Sequence, residues 1–181
     1  MSRVYVFLAE GFEEIEGLTV VDLLRRAKID TTTVSVMGTK QVKGSHGITV
    51  TADSLFEEND YGNAELLVLP GGMPGTLNLG NHEGLCDLLK KHYGEEKKLA
   101  AICAAPSILG QLGFLRGRGA TCYPGFEEKL DGAVVCTAKT AVDGNITTAK
   151  GMGAAIDFSL KLIEQLADQK TADRISESII Y

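Results

Sequence analysis

Four cysteines carry most of the covalent chemistry this sequence could offer: Cys86, Cys103, Cys122 and Cys136. None forms a C-x-x-C pair, so a zinc knuckle or dithiol motif is not encoded, and any one of them is by default a small buried hydrophobe. Context separates Cys103 from the others. It ends the apolar run KLAAIC (98–103) and is followed by Ala104-Ala105-Pro106, a pattern that reads as a buried strand turning sharply into a helix. Such a turn strains the backbone of its first residue and presents that side chain in a cleft. Backbone N–H groups at the start of the helix then face the sulfur and are expected to lower its pKa and favour the thiolate nucleophile. The matching acid–base candidate is Glu16, in a segment that also holds Glu10, Glu13 and Glu14. Acids at a helix start ordinarily pair with the helix dipole in solvent. Glu16 has Ile15, Leu18 and Val20 around it and is the best candidate to turn inward. Desolvated beside sulfur, its carboxyl would keep its proton to near-neutral pH and serve as general acid or base.

Further candidates are weaker alone. Pro70-Gly71-Gly72 lets backbone approach closely, and the Gly71, Gly72 and Ala104 amides are candidates for binding an oxyanion or substrate. Tyr123, before Pro124-Gly125, either brings its hydroxyl to the same cleft or is a packed aromatic. His82 and His92 flank a surface-looking helix and are expected to be solvated. His46, in a Ser-His-Gly turn, reaches the cleft or an interface. Lys150-Gly151-Met152-Gly153 suggests close backbone packing at the pocket rim or against a subunit. No feature requires a metal or an organic cofactor.

The elements that must position these residues follow from periodicity. RVYVFLA (3–9), TTTVSVM (31–37), ELLVLP (65–70) and KLAAIC read as strands, three of them apolar enough to be covered on both faces. GSHGITVTAD (44–53) reads as a turn and an edge strand. GATCY, VVCTA and ITTA read as short strands, the last two joined around Asp143-Gly144-Asn145. Residues 15–27, 82–93, 104–113, 152–167 and 168–180 read as helices. Strands alternating with helices predict a flavodoxin-like three-layer α/β sandwich: a mostly parallel central sheet with helices on both faces, in a single domain over 1–181. Ligands bind beyond the carboxyl ends of such strands. AEGFEEIEG, PGGMPG and CAAP all leave those ends and should converge.

With 181 residues, 44% hydrophobic and 23% charged, the chain can bury a full core unaided. Its net charge of −6 and lack of a basic run argue against a nucleic-acid partner. No apolar run approaches a membrane span, and MSRVYVFLAEGFEE lacks a signal-peptide cleavage site, so a cytoplasmic location is expected.

GFEEIE, LPGG and AAICAAP together resemble the ThiJ/PfpI superfamily, and within it the branch of the parkinsonism-associated protein deglycase and its bacterial relatives. The resemblance covers essentially the whole chain. It implies that Cys103 is an easily oxidised nucleophile, that Glu16 is a protonated glutamate bonded to it, and that Gly72 and Ala104 supply amides for an oxyanion or a cysteine sulfinate. It implies a homodimer and cofactor-free action on a small aldehyde or glycated substrate. Two positions depart from the pattern: Tyr123 stands where a family member has a His, and His46 where the dimer-side loop has an Arg. Ala104 after the cysteine excludes the protease-like branch, which has His there, and no His-x-Glu pair follows Cys103 as a class I glutamine amidotransferase would need. The expected function is conversion of methylglyoxal to lactate and protein deglycation in carbonyl and oxidative stress defence. The alternatives are a redox sensor that stores Cys103 as sulfinic acid, and a chaperone or thiazole-monophosphate-biosynthesis role, which the residues themselves do not support.

Overall fold

The computed structural model describes residues 3–181. The expectation of no signal peptide rests partly on Met1 and Ser2, which lie outside the described residues. In chain order the elements are β1 (Arg3–Leu8), α1 (Glu14–Arg26), β2 (Asp30–Ser35), β3 (Gln41–Lys43), β4 (Thr49–Thr51), β5 (Ser54–Leu55) and β6 (Ala64–Leu69). They continue with α2 (Gly75–Asn81), α3 (Glu83–Gly94), β7 (Lys98–Ile102), α4 (Pro106–Gln111), β8 (Gly119–Ala120), β9 (Val134–Val135), β10 (Thr140–Asp143), β11 (Ile146–Ala149), α5 (Ala155–Leu166) and α6 (Gln169–Ser178). The central sheet runs β10-β11-β7-β6-β1-β2-β5 and is parallel except where β10 meets β11. This is the flavodoxin-like sandwich anticipated from the alternation of patterns.

The apolar runs are buried on both faces because the pleat deals alternate residues to two cores. Val4, Val6 and Leu8 of β1 join Leu66 and Val68 of β6 and Ile102 of β7 against α1, α5 and α6. Tyr5, Phe7, Leu67, Leu69 and Ala101 face the opposite way, onto α2, α3 and α4. Because β1, β6, β7 and β11 are parallel neighbours, the segments after Leu8, Leu69, Ile102 and Ala149 emerge side by side at one edge. The three segments expected to converge do so, and Lys150-Gly151 makes a fourth.

Some assignments change. The glycine-rich stretch after β6 carries a helix, α2, anchored by buried Leu79. The turn at Gly144-Asn145 joins β10 to β11, with Asp143 opposite Ile146. A two-residue turn requires the strand directly before it, so VVCTA cannot be that partner, and β9 pairs parallel with β8 instead. The 44–53 segment is no edge of the main sheet. Its strand β4 forms a separate hairpin with β3.

The α5 face of the sheet depends on Phe158, which is fully buried among these strands. Phe158→Ala is expected to destabilise the chain by ~3–5 kcal/mol through lost burial and a residual cavity, read as a lower urea midpoint with unchanged slope.

Candidate active site

Cys103 is the first residue after β7, and its backbone is forced into the left-handed region at φ 66°. Few non-glycine residues adopt that conformation, and it persists only where neighbours hold it. Here the Cys103 N–H donates to the Ala149 carbonyl at 2.9 Å, and its carbonyl accepts from the Tyr123 N–H at 2.8 Å. The turn therefore locks β7 to β11 on one side and to the 121–126 segment on the other. The side chain is half-buried and still open to the cleft.

Glu16 enters from the first turn of α1 and is 1% exposed. One carboxylate oxygen, Oε2, accepts from the Gly71 N–H at 2.9 Å. The carboxyl also hydrogen-bonds the Cys103 thiol and accepts from the Met152 N–H. The sulfur in turn is faced by the N–H groups of Gly72 and Ala104. The segments after four strands thus supply four backbone donors and the Cys103 and Glu16 side chains. Gly71 is engaged with Glu16, leaving Gly72 and Ala104 as the amides aimed at the sulfur.

The space is set by missing side chains. A Cβ on Gly71 would lie 2.5 Å from the Cys103 Cβ and 2.7 Å from Glu16 Oε2. One on Gly151 would lie 3.8 Å from the Cys103 Sγ, 3.7 Å from Glu16 Oε1 and 3.3 Å from Tyr123 Cδ2. Gly151 and Met152 realise the first of the two alternatives read from sequence, close backbone packing at the pocket, though the Met152 amide's bond to Glu16 was not foreseen. Their signal was the glycine pattern at 150–153. Tyr123 lies outside any strand, with its side chain half in solvent and its ring edge against the pit.

Burial pushes the Glu16 carboxyl up to about 7. The Cys103 thiol is also raised, to about 12, first by burial and then by the neighbouring Glu16 carboxylate, against the downward pull of the Gly72 and Ala104 amides. The acidified thiol expected from a helix N-terminus is therefore not obtained. The following helix, Pro106–Gln111, has six residues, too few for its dipole to outweigh desolvation. The two groups titrate as one unit: it releases a proton near neutrality and keeps a second in the sulfur–carboxyl hydrogen bond.

The other expected residues lie elsewhere. His46 Nδ1 is 3.1 Å from Glu14 Oε2 and 3.5 Å from Glu13 Oε2. Glu14 is buried as well as Glu16, the best inward candidate among the acids of this segment. It accepts from the His46 N–H at 2.8 Å, and its carboxyl is lowered to about 2 because these hydrogen bonds outweigh desolvation. It thereby pins the β3–β4 hairpin to α1. His82 is only partly buried, whereas His92 is not solvated. His82 caps α3, accepting from the Leu85 N–H at 3.0 Å, and its ring packs on Phe56. His92 is buried, with Nε2 3.1 Å from the Lys98 carbonyl.

A flavodoxin-like sandwich that presents a cysteine at a strained strand-to-helix turn, bonded to a buried glutamate from the first helix, defines a cysteine–glutamate site on an α/β fold. The chain belongs to the DJ-1/PfpI family, whose sequence profile matches residues 2–165. It is 38% identical over 182 residues to Protein DJ-1 homolog A of Arabidopsis thaliana, covering 99% of this chain and 46% of that protein. The chain thus spans about half the length of that plant relative. It is 36% identical over 156 residues to a deglycase of Pyrococcus abyssi, covering 83% of this chain and 91% of that one. Among solved structures, oxidized DJ-1 of Toxoplasma gondii superposes with a TM-score of 0.96 at 35% identity, covering 100% of this chain and 99% of that one. Among the described residues no helix is long and apolar enough to cross a membrane.

The two buried carboxyls give opposite pH dependences. Glu16 has a raised pKa, so its contribution to stability is full below the unfolded value of 4.5 and declines as pH rises to about 7. Glu14 has a lowered pKa, so its contribution is present above 4.5 and is lost as pH falls toward 2. His92, lowered to about 4, adds stability as pH rises toward 6.5 and opposes the Glu16 trend. The clean readout is therefore a difference. Denaturant stability of wild type minus that of Glu16→Gln is expected to fall from pH 4.5 to 7, whereas wild type minus Glu14→Gln is expected to rise from pH 2 to 4.5.

Proposed function

We propose that this chain is a cysteine enzyme acting on small reactive carbonyls, converting methylglyoxal to lactate and, on carbonyl adducts of proteins, acting as a deglycase in carbonyl and oxidative stress defence. The observation that carries the reading is the buried Glu16 carboxyl, hydrogen-bonded to Cys103 and exchanging its proton near neutral pH. The conversion adds water and needs no external oxidant or reductant, which suits a site whose tools are a sulfur, a proton carrier and backbone amides.

The steps follow from these groups. As the Cys103 sulfur attacks the aldehyde carbon, its proton passes to the Glu16 carboxylate and the carbonyl π pair moves onto oxygen. The Gly72 and Ala104 N–H groups are within reach of that oxyanion. Glu16 returns the proton to it, completing the hemithioacetal. The regenerated carboxylate then takes the C1 hydrogen, the C–H pair forms a C1=C2 double bond, and the π pair of the neighbouring carbonyl moves onto its oxygen, giving the enediolate. Glu16 delivers this proton to C2, the double-bond pair forming the new C–H bond, while the C1 hydroxyl passes its proton to the C2 oxyanion and its O–H pair closes the thioester carbonyl at C1. Water cleaves the thioester, releasing lactate and restoring the thiol. Desolvation makes this work: a carboxyl titrating at its ordinary value would be too weak a base for either transfer.

Purified protein is expected to form lactate from methylglyoxal, with kcat/KM rising through about pH 7 as Glu16 loses its proton. Cys103→Ala should abolish turnover, and Glu16→Gln should lower it by at least ~100-fold while still trapping the aldehyde as a hemithioacetal. An active Cys103→Ala protein would refute the mechanism.

A second reading, a redox sensor, is favoured by the same donors. Sulfur oxidised twice by peroxide, each step releasing one water, would leave a sulfinate whose oxygens face the Gly72 and Ala104 amides and a protonated Glu16. The Toxoplasma structure is of the oxidized protein, which supports this reading. Graded peroxide followed by mass spectrometry should add two oxygens at Cys103 before Cys86, Cys122 or Cys136; equal oxidation of all four would remove this reading.

A further inference from the structure

The seam between α1 and the β3–β4 hairpin gathers four donor atoms that the Cys103 chemistry does not use. The hairpin lies close on the start of the helix. The Ser45 N–H donates to the Phe12 carbonyl at 2.9 Å, and a side chain on Gly44 would collide with the Glu14 carboxyl. This fold brings Ser45 and His46 to Glu13 and Glu14. The Ser45 Oγ lies 3.4 Å from Glu13 Oε2, 3.3 Å from Glu14 Oε2 and 3.1 Å from His46 Nδ1. His46 Nδ1 lies 3.1 Å from Glu14 Oε2 and 3.5 Å from Glu13 Oε2. The sequence shows no metal motif here because the two halves of the cluster meet only when the hairpin folds.

These contacts outnumber the hydrogens that could fill them. A carboxylate has only acceptor sites, a serine hydroxyl carries one hydrogen, and Nδ1 carries at most one. Each hydrogen points along one contact at a time. In three of the five contacts, therefore, lone pairs face each other at 3.1–3.5 Å. Among the described residues neither carboxylate forms an ion pair with a lysine or arginine. The N-terminus of α1 offsets only part of one charge.

The spacing is that of a coordination shell. A tetrahedron with edges of about 3.3 Å has its centre about 2.0 Å from each corner, the length of a zinc bond to imidazole or carboxylate. One donor atom from each of Glu13, Glu14 and His46 lies within 4.8 Å of the other two. A positive ion among them would turn the facing lone pairs into bonds. The buried ligand is also oriented from behind. Glu14 Oε1 accepts from the His46 N–H at 2.8 Å and the Ile48 N–H at 3.4 Å, which turns Oε2 toward the other donors. A set that mixes imidazole with carboxylate suits a zinc-type ion better than magnesium or calcium, which favour oxygen alone.

We propose that Glu13, Glu14, Ser45 and His46 form a binding site for a divalent transition-metal ion of the zinc type, which clasps the β3–β4 hairpin to the start of α1. The ion takes the Nδ1 lone pair, and a proton on that nitrogen moves to Nε2 or to water. The site is separate from Cys103 and does not depend on the carbonyl-enzyme reading.

The test is titration calorimetry with zinc on metal-stripped protein carrying Cys103→Ala, so that the reactive thiol cannot compete. One equivalent should bind per chain, and bound zinc should raise the melting temperature. His46→Arg offers N–H donors to both carboxylates and no lone pair, so it should keep the fold, lower the affinity by at least ~100-fold and remove the thermal shift. Glu14→Gln should weaken binding likewise, with melting as the check on its fold. Cobalt(II) in place of zinc should bind without a thiolate charge-transfer band. Failure of the folded Cys103→Ala chain to bind zinc overturns the proposal. So does binding that survives His46→Arg, or a thiolate band, either of which would place the ion elsewhere. Half an equivalent per chain in a protein that sediments as a dimer also overturns it, since the ion would then be held between two copies.

Discussion

The hydrogen bond between the Glu16 carboxyl and the Cys103 thiol is the constraint around which the site is arranged. Neither partner is at ease where it lies. The carboxyl is stripped of water, and the sulfur sits on a backbone held at positive φ. Each is held by amides from a neighbouring strand end: Gly71 and Met152 on the carboxyl, Gly72 and Ala104 on the sulfur. Those amides are in place only because β1, β6, β7 and β11 end together, which in turn requires the two cores to fix the sheet's register. Stability stored in the apolar core is in this sense what keeps a strained cysteine beside a desolvated acid.

Much of this was legible in the residues. The continuous apolar runs announced strands covered on both faces, and the change to helical spacing after each announced the crossovers. Cys103 was visible because an apolar strand stopped at it and Ala-Ala-Pro followed. Glu16 was visible because apolar neighbours surrounded it at helical spacing. What was not legible depended on partners distant in sequence. Glu14 shares its helix turn with Glu16 and reads as a solvated acid, until the β3–β4 hairpin folds onto it and supplies the His46 amide and ring. His92 looks like a surface residue because its neighbours Lys90 and Lys91 are charged, and it is the Lys98 carbonyl that makes its burial tolerable.

The thiol's acidity shows where a local rule meets a larger competing effect. A cysteine at a helix start suggests an easily lost proton. The rule assumes a helix long enough to carry a dipole and a sulfur still wetted by solvent. Here the helix is one and a half turns long and the neighbour is itself an acid. Burial and the neighbouring charge together outweigh two amide hydrogen bonds, and the thiol holds its proton more tightly than a free cysteine would.

The pit and the residues beside it are made of different material. The pit is built from peptide groups and from glycines that have no side chain to alter, so substitution there offers only damage. The side chains next to it in the chain, Met73 and Met152, and Tyr123 beside Gly151, stand about half exposed. Selection acting on this chain has one part it can revise and one it can only keep. Descendants of such a site would be expected to share one chemistry and to differ in what they bring to it.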